Sequence, residues 1–235
     1  MRILGIIPAR GGSKSVPKKN IKLLDGKPLL QYTVDVAKAS KNITKLILSS
    51  DDDAIINIAK QLDLEVPFKR PSNLAQDNSP TLPVIQHALN FYKAQDIHFE
   101  AVCLLQVTSP FKTTEFIDQA IHKFITSEAD ALVSVKPVPD EYNPHWVFKA
   151  NNTGSLELFT EDKQIISRRQ DLPKAYHRDG VIYITKTRVL LEENSLYGRV
   201  LTYIESPSNF NVNIDTIEDW KKAEIYLKEN KYKEY

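Results

Sequence analysis

The chain has 235 residues and a formal net charge of only +1, because 31 lysine and arginine side chains nearly balance 30 aspartate and glutamate side chains. Hydrophobic residues make up 42% of the chain, which is ordinary for a globular protein and excludes a disordered one. The near-neutral charge argues against a nucleic-acid partner held by bulk attraction. No apolar run reaches the roughly 18 residues of a membrane span, so no membrane partner is expected.

The single cysteine, Cys103, excludes an internal disulfide, and the five histidines lack the spacing of a zinc site. The apolar segment 3–7 is too short for a signal peptide and lacks a small-residue cleavage site. We therefore expect a cytoplasmic protein, and at this length we expect one domain spanning residues 1–235.

Short apolar runs alternate along the chain with amphipathic stretches, which predicts an α/β fold with helices flanking a sheet. In chain order the predicted elements are strand 3–7, helix 28–40, strand 45–50, a helix from Asp51 or Asp52 to 62, helix 80–94, strand 101–105, helix 113–126, strand 131–136, strand 180–185, strand 200–204 and a helix from 217. The run 101–105 is the most apolar and is expected near the centre of the sheet. Thr216 and Asp219 form the pattern of a capping box.

Residues 137–178 interrupt this alternation. They contain three closely spaced prolines and two predicted short strands, 146–149 and 156–159, which we interpret as an insertion in the α/β domain. Three aromatic side chains of the segment, Tyr142, Trp146 and Phe148, are expected to be exposed. Because a segment this small cannot bury its apolar face alone, the sequence predicts a homodimer.

The loop 8–20, which follows the first predicted strand, concentrates positive charge. Six basic residues precede the first acid, Asp25: Arg2, Arg10, Lys14, Lys18, Lys19 and Lys22. Gly11 and Gly12 allow backbone N–H groups to approach an anion, and Ser13 adds a hydroxyl donor. Open α/β folds bind ligands at this carboxyl edge of the sheet. The loop therefore predicts a polyphosphate site of neither Walker nor GxGxxG type, with a merely solvated basic loop as the alternative.

The sequence of this loop, IPARGGSK followed by PKKN, resembles the signature of the acylneuraminate cytidylyltransferases, the CMP-sialic acid synthetases. The resemblance continues, in the order of the family, through residues 49–51, 70–77, 104–110, 169–173, 179–183 and 213–216. It implies a Rossmann-like nucleotide-diphospho-sugar transferase fold. This fold has a mixed, mostly parallel sheet flanked by helices, and here 137–178 would be an inserted dimerisation arm that carries sugar-binding residues to the neighbouring subunit.

The resemblance also implies the reaction. The family transfers CMP from CTP to the anomeric hydroxyl of a nine-carbon 2-keto sugar acid, such as sialic, legionaminic or pseudaminic acid, and releases pyrophosphate. Arg10 and Lys19 would hold the triphosphate and stabilise the leaving group, which suits a reaction that depends on positioning and electrostatics. The implied nucleotide-binding residues are Ala9, Gly11, Gly12, Ser13, Lys14, Asn20, Arg70, Asp77 and Thr81. The family usually has glycine at the position of Ser15.

The implied sugar site begins at Gln106, with Thr108 and Ser109 beside it. Related enzymes for 3-deoxy-octulosonate carry an acidic residue at the place of Gln106, so the glutamine favours the nine-carbon substrates. Arginine binds carboxylates through paired hydrogen bonds, and Arg169 is the first choice for the carboxylate of the sugar acid. His177 and Arg178 are both further choices, and the sequence leaves open which of them contacts this carboxylate.

The implied metal site lies at Asp215, which is also counted among the catalytic residues. A carboxylate oxygen suits Mg²⁺, the expected cofactor. Many family members have Asp-x-Asp at this place, whereas this chain has asparagine at position 213, so Asn213 would be a weaker ligand. Structural roles are the alternatives at three of these positions: a helix start for Asp77, a helix cap for Asp215 and a buried amide for Gln106.

Two other functions compete with this interpretation. One is a cytidylyltransferase for 3-deoxy-octulosonate or another sugar nucleotidylyltransferase. The other is a non-catalytic nucleotide- or RNA-binding module that uses the basic loop. The scarcity of aromatic residues in that loop argues against the module, because proteins that bind single strands stack the bases on aromatic rings.

Overall fold

The computed structural model describes residues 1–208 and 212–231. The chain divides into two compact units, of which the first comprises Met1–Ser134 and Gly180–Tyr235 and the second Val135–Asp179. The strands are β1 (Ile3–Pro8), β2 (Leu23–Leu24), β3 (Lys27–Pro28), β4 (Lys45–Ser49), β5 (Ala101–Leu105), β6 (Ala131–Pro137), β7 (Phe148–Ala150), β8 (Leu156–Leu158), β9 (Tyr176–Lys186) and β10 (Leu201–Glu205). The α-helices are α1 (Leu29–Ala39), α2 (Asp53–Gln61), α3 (Thr81–Lys93), α4 (Thr114–Thr126), α5 (Thr187–Leu191) and α6 (Ile217–Lys231).

Six strands form one mixed sheet in the order β10-β6-β9-β5-β1-β4. Strand β1 is parallel to both β4 and β5, whereas β9 is antiparallel to β5. All five residues of β5 are buried, as expected of an interior strand that is covered on both faces. The predicted α/β fold with helices flanking a mixed sheet is confirmed.

Side-chain caps mark the starts of several helices, and one of them resolves an open prediction. Helix α2 is capped by Asp52, whose Oδ1 accepts hydrogen bonds from the backbone N–H groups of Ala54 and Ile55 at 2.8 and 3.0 Å. The capping box before α6 is also present: the N–H of Thr216 donates to Asp219, and the N–H of Asp219 donates to the Thr216 hydroxyl.

The structure contains short elements that the sequence pattern did not reveal. Strands β2 and β3 form a hairpin whose turn places Asp25 and Gly26 at φ values of 48° and 79°. An Asp-Gly pair is typical of such turns, so this signal was readable. Helix α5 is too short to show a helical hydrophobic period. Strand β9 begins at Tyr176, four residues before the predicted start at 180.

The second unit, Val135–Asp179, is made of short pieces. Strands β7 and β8 pair in antiparallel fashion, and several single 3₁₀ turns flank them. Trp146 was predicted to begin a strand, and this prediction was wrong, whereas its side chain, predicted to be exposed, is half-buried. It lies in a 3₁₀ turn that starts at Pro144, and its indole Nε1 donates to the carbonyl of Ile166 at 2.6 Å. Phe148 and Tyr142 are exposed, as expected.

None of the helices within residues 1–208 and 212–231 combines the length and the apolar character needed to cross a membrane.

Candidate active site

A cavity of about 240 Å³ lies in the first unit, where β1 and β5 end. Because these two strands are parallel neighbours, their carboxyl ends meet at the same edge of the sheet. Fourteen residues line the cavity: Pro8, Arg10, Ser13, Lys19, Asn20, Arg70, Leu74, Gln76, Ser79, Thr81, Val84, Gln106, Val107 and Thr108. The cavity therefore brings together residues predicted for the nucleotide with residues predicted for the sugar.

The basic loop takes its shape from its own side chains. Asn20 is buried, and its Nδ2 donates to the carbonyl of Arg10 at 2.9 Å, which ties the two ends of the loop together. Lys18 adopts a left-handed conformation with φ of 53° and is exposed to solvent. Ser15 has no positive φ, so serine in place of the usual glycine causes no backbone strain there.

Gly11 is needed for close packing and not only for access to an anion. A Cβ atom at this position would lie 2.8 Å from the Cβ of Asp52, which leaves no room for any side chain. The N–H of Gly11 donates to Oδ1 of Asp51 at 3.2 Å. The expectation that this N–H is open to a phosphate therefore does not hold in the structure, because a protein carboxylate already accepts it. Gly12 has open space around its Cα.

A carboxylate bridges two of the predicted phosphate-binding cations. Nη1 of Arg10 lies 2.9 Å from Oδ1 of Asp77, and the ammonium of Lys14 contacts Oδ2 of the same side chain. The hydrogen bond from Lys14, helped by the charge of Arg10, holds the pKa of the Asp77 carboxyl below its usual value. In this state, Asp77 partly neutralises the positive charge at the mouth of the cavity.

Arg70 provides a fixed, buried donor in the wall of the cavity. Only 5% of the residue is exposed, and its Nε donates to the Ser49 hydroxyl at 3.0 Å while Nη2 contacts the Ser49 carbonyl. Burial, together with the neighbouring charge of Arg10, lowers the pKa of the Arg70 guanidinium to about 10, so it remains charged at neutral pH. A buried cation held at the end of β4 is preorganised to bind a polar or anionic ligand.

Lys19 connects the basic loop to the predicted metal site. Its Nζ donates to the carbonyl of Ile214 at 2.7 Å and lies 3.3 Å from Oδ1 of Asp215. Nδ2 of Asn213 donates to Oδ2 of Asp215 at 2.5 Å. Asn213 thus contacts the carboxylate through its amide nitrogen, while its Oδ1 lies 3.4 Å from the Ser109 hydroxyl.

The protein side chains at Asp215 can bind Mg²⁺ only if phosphate oxygens of the substrate fill further coordination positions of the ion. Among the described residues, no group of three His, Cys, Asp or Glu side chains could hold a metal ion by itself. The Asp215 side chain is 62% exposed and so is accessible from solvent. Magnesium commonly takes one or two protein carboxylates and fills its remaining positions with phosphate oxygens and water, so one carboxylate beside a triphosphate site fits this ion.

Two of the predicted binding residues, Ala9 and Ser109, lie in the interior of the protein. Ala9 is buried, and its N–H donates to the Ser49 carbonyl at 3.0 Å. Ser109 is buried, and its hydroxyl lies 3.4 Å from Oδ1 of Asn213. Neither residue lines the cavity.

The three predicted carboxylate-binding residues lie in the second unit. Nε of Arg169 contacts the carboxylate of Asp140, and the two residues line a groove with Trp146. Nδ1 of His177 lies 3.3 Å from the carbonyl of Arg178. Their roles toward a sugar acid stay predictions.

Sequence reasoning missed several residues of the site. Gln76 and Ser79 line the cavity on the segment between Arg70 and Thr81, where the N–H of Gln76 donates to the Ser79 hydroxyl at 3.0 Å. Their position between two predicted residues was the available signal. Lys112 lies beneath the loop 106–109, and no sequence signal distinguishes it from a surface lysine.

Comparison with known proteins agrees with this geometry. A family model described as Cytidylyltransferase matches residues 4–234. Pseudaminic acid cytidylyltransferase of Campylobacter jejuni is 36% identical over 230 residues, which cover 98% of each chain. CMP-N,N'-diacetyllegionaminic acid synthase of Legionella pneumophila is 34% identical over 236 residues, again covering 98% of each chain.

A solved structure is similar in fold. CMP:2-keto-3-deoxy-manno-octonic acid synthetase complexed with CTP superposes with a TM-score of 0.71 at 13% identity, covering 98% of this chain and 100% of that one. The likeness confirms the predicted nucleotidyltransferase fold. The curated relatives favour an enzyme over a non-catalytic binding module. Taken with the family model across nearly the whole chain, these likenesses show that the protein is a nucleotidyltransferase that belongs to the cytidylyltransferase family.

Proposed function

We propose that the protein transfers CMP from CTP to the anomeric hydroxyl of a nine-carbon 2-keto sugar acid. The main support for this proposal is that Arg10, Lys19 and Arg70 line the same cavity as Gln106. Gln106 directly follows the interior strand β5. Cationic side chains that can bind a triphosphate thus line the same cavity as an uncharged amide that can form hydrogen bonds with the hydroxyl groups of a sugar. The relatives named for pseudaminic and diacetyllegionaminic acid support this substrate class over octulosonate.

The triphosphate would bind to the basic loop. Arg10 and Lys19 line the cavity, and Ser13 adds a hydroxyl donor on the same side. Asp77 would leave Arg10 when phosphate oxygens arrive, because the two anions compete for one guanidinium. Donors that are already in place when charge develops on the leaving pyrophosphate lower the barrier without reorganisation.

The reaction is a direct displacement. The anomeric oxygen of the sugar acid forms a bond to the α-phosphorus, and the bond from that phosphorus to the bridging oxygen breaks. Pyrophosphate departs with the electron pair, and the hydroxyl proton is released. Arg10 and Lys19 stabilise the negative charge on the departing group, and no covalent enzyme intermediate is required.

Mg²⁺ is the proposed cofactor, with Asp215 as its protein ligand. When bound, the ion would neutralise phosphate charge. Asn213 orients the carboxylate through its amide nitrogen, and Lys19 fixes the neighbouring backbone through the Ile214 carbonyl. Arg169, with His177 or Arg178, is proposed to bind the carboxylate of the sugar acid.

The test is pyrophosphate release from CTP and Mg²⁺ with each of four acids: pseudaminic, diacetyllegionaminic, N-acetylneuraminic and 3-deoxy-octulosonic acid. We expect turnover with at least one nine-carbon acid, little with the octulosonate, and none after Mg²⁺ is removed by a chelator. Turnover of the octulosonate alone would contradict the proposed substrate class. Undiminished turnover without a divalent ion would contradict the proposed cofactor.

A further inference from the structure

Lys112 is buried to an unusual degree for a lysine. Only 3% of the residue is exposed, and none of the ion pairs formed by the described residues includes it. A buried ammonium is costly unless hydrogen bonds replace the water it has lost. Burial lowers the pKa of Lys112 to about 7, which reflects the same cost. The hydrogen bonds of Lys112 must therefore compensate for the water that its side chain has lost.

The three hydrogen-bond partners of Lys112 converge on one loop and one helix. Nζ donates to the carbonyl of Gln106 at 2.8 Å, contacts the carbonyl of Ser109, and lies 3.1 Å from the Thr33 hydroxyl of α1. The ammonium form uses all three of its donors in this way, whereas the neutral amine keeps two donors, enough for the two loop carbonyls, and accepts from the Thr33 hydroxyl. A single side chain holds both ends of the loop 106–109 and attaches them to the interior.

This loop forms part of the cavity wall and contacts the predicted metal site. Gln106 and Thr108 line the cavity. The carbonyl of Thr108 accepts a hydrogen bond from the N–H of Ile214 at 2.8 Å, directly before Asp215. The conformation of the loop therefore sets where the Gln106 amide points and, through Ile214, where the backbone of the neighbouring segment lies.

We propose that Lys112 is a positioning residue, which holds the loop 106–109 in the conformation that binds the sugar acid. The inference rests on the proposed function, because it assigns the sugar acid to the wall formed by Gln106 and Thr108. Lys112 itself does not line the cavity, so it acts through the backbone carbonyls of the loop and not by touching substrate.

The test compares Lys112→Met, which keeps the length of the side chain but removes its donors, with the control Thr33→Val. The control removes one partner of Lys112 and leaves both loop carbonyls bound. We expect Lys112→Met to raise KM for the sugar acid by about tenfold, the scale of losing hydrogen bonds to a charged group. The affinity for CTP should change much less, and Thr33→Val should lower Tm without raising KM.

Recovery by Lys112→Arg, which restores a buried donor cation, would support the positioning role. Equal KM values in Lys112→Met, Thr33→Val and the parent would overturn it, since a merely structural lysine would alter Tm alone. If Lys112→Met does not fold, Lys112→Gln takes its place with the same expected rise in KM. Absence of turnover by the parent with every acid would instead contradict the proposed function.

Discussion

Arg10 is the residue whose removal should affect turnover most directly. Its guanidinium lines the cavity and pairs with Asp77, so it is already held in position before substrate binds. We expect Arg10→Ala to lower kcat by roughly 100-fold or more, because loss of one preorganised donor to a developing charge costs about 3–4 kcal/mol. Pyrophosphate release under saturating CTP measures this effect.

The matched control for Arg10 is Lys18→Gln. Lys18 lies on the same basic loop and carries the same charge, but it is exposed and does not line the cavity. We expect this variant to retain most of its turnover. Comparable losses in both variants would mean that the overall charge of the loop, and not the position of Arg10, supports the reaction.

Lys112 should give the free energy of unfolding a specific dependence on pH. The pKa of Lys112 is lowered to about 7 in the folded protein, against 10.5 for an ordinary lysine. Between these values the unfolded chain binds a proton that the folded chain does not, so stability rises with pH. The slope from one such group is at most about 1.4 kcal/mol per pH unit.

Urea unfolding at several pH values between 7.5 and 9.5 measures this slope in the parent and in Lys112→Met. We expect the difference in unfolding free energy between the two proteins to shift in favour of the parent as pH rises. A constant difference across this range would show that Lys112 titrates normally in the folded state.

At the residue scale, the sequence predicts which side chains belong to the site better than it predicts which side chains are buried. The basic loop was found from its cluster of cations, the roles of Arg10, Lys19 and Arg70 came from the family resemblance, and the structure places these three residues around one cavity. Lys112 was missed because a lysine that follows a proline and a phenylalanine reads as an ordinary surface residue. The contact between Asp51 and Gly11 was also hidden, since only folding brings β1 beside β4.

At the scale of elements, continuous apolar segments were the most reliable signal for the bounds of a strand. Strand β5 has the predicted bounds, because a covered strand is apolar at every position. None of the first four residues of β9 is buried, so no apolar run marks where this strand begins, and its start could not be read from the sequence. The second unit was hard to read for a related reason: its strands β7 and β8 have three residues each.

The cap of α2 allows a prediction about stability. Asp52 accepts two backbone N–H groups, so Asp52→Ala should destabilise the protein by about 1 kcal/mol, the usual value of a side-chain cap. Alanine keeps the Cβ that packs near Gly11, so the change isolates the cap. The midpoint of urea unfolding measures the loss. Asp53→Asn, one residue further along and exposed, is the control, and an equal shift in both variants would contradict capping by Asp52.

At the scale of the whole molecule, the second unit supports the predicted homodimer. This unit of 45 residues exposes several large apolar side chains: Tyr142, Phe148, Leu156, Phe159 and Ile165. Apolar surface of this density usually marks an interaction site. We expect light scattering to give the mass of a dimer, and a monomeric mass would contradict the prediction.

Mixing two inactive variants tests whether the predicted dimer shares its active sites. If Arg10 of one subunit and Arg169 of the other serve one site, Arg10→Ala and Arg169→Ala should regain activity when dissociated and reassociated together. About half of the sites in mixed dimers would contain both arginines, by the symmetry of a two-fold pair. A stable dimer without recovered activity would place Arg169 in the site of its own chain or outside it.

The bridge from Arg10 and Lys14 to Asp77 has a consequence for how salt affects substrate loading. A pocket of bare cations would capture a triphosphate mainly by shedding loosely held counterions, and its affinity would fall steeply with ionic strength. In this protein the carboxylate of Asp77 already serves as the counterion of Arg10 and Lys14. If the triphosphate binds here as proposed, loading would be an ion exchange, in which the Asp77 carboxylate is released as phosphate binds. We then expect the protein to lose some long-range attraction and to show an affinity for CTP that varies less with the salt concentration.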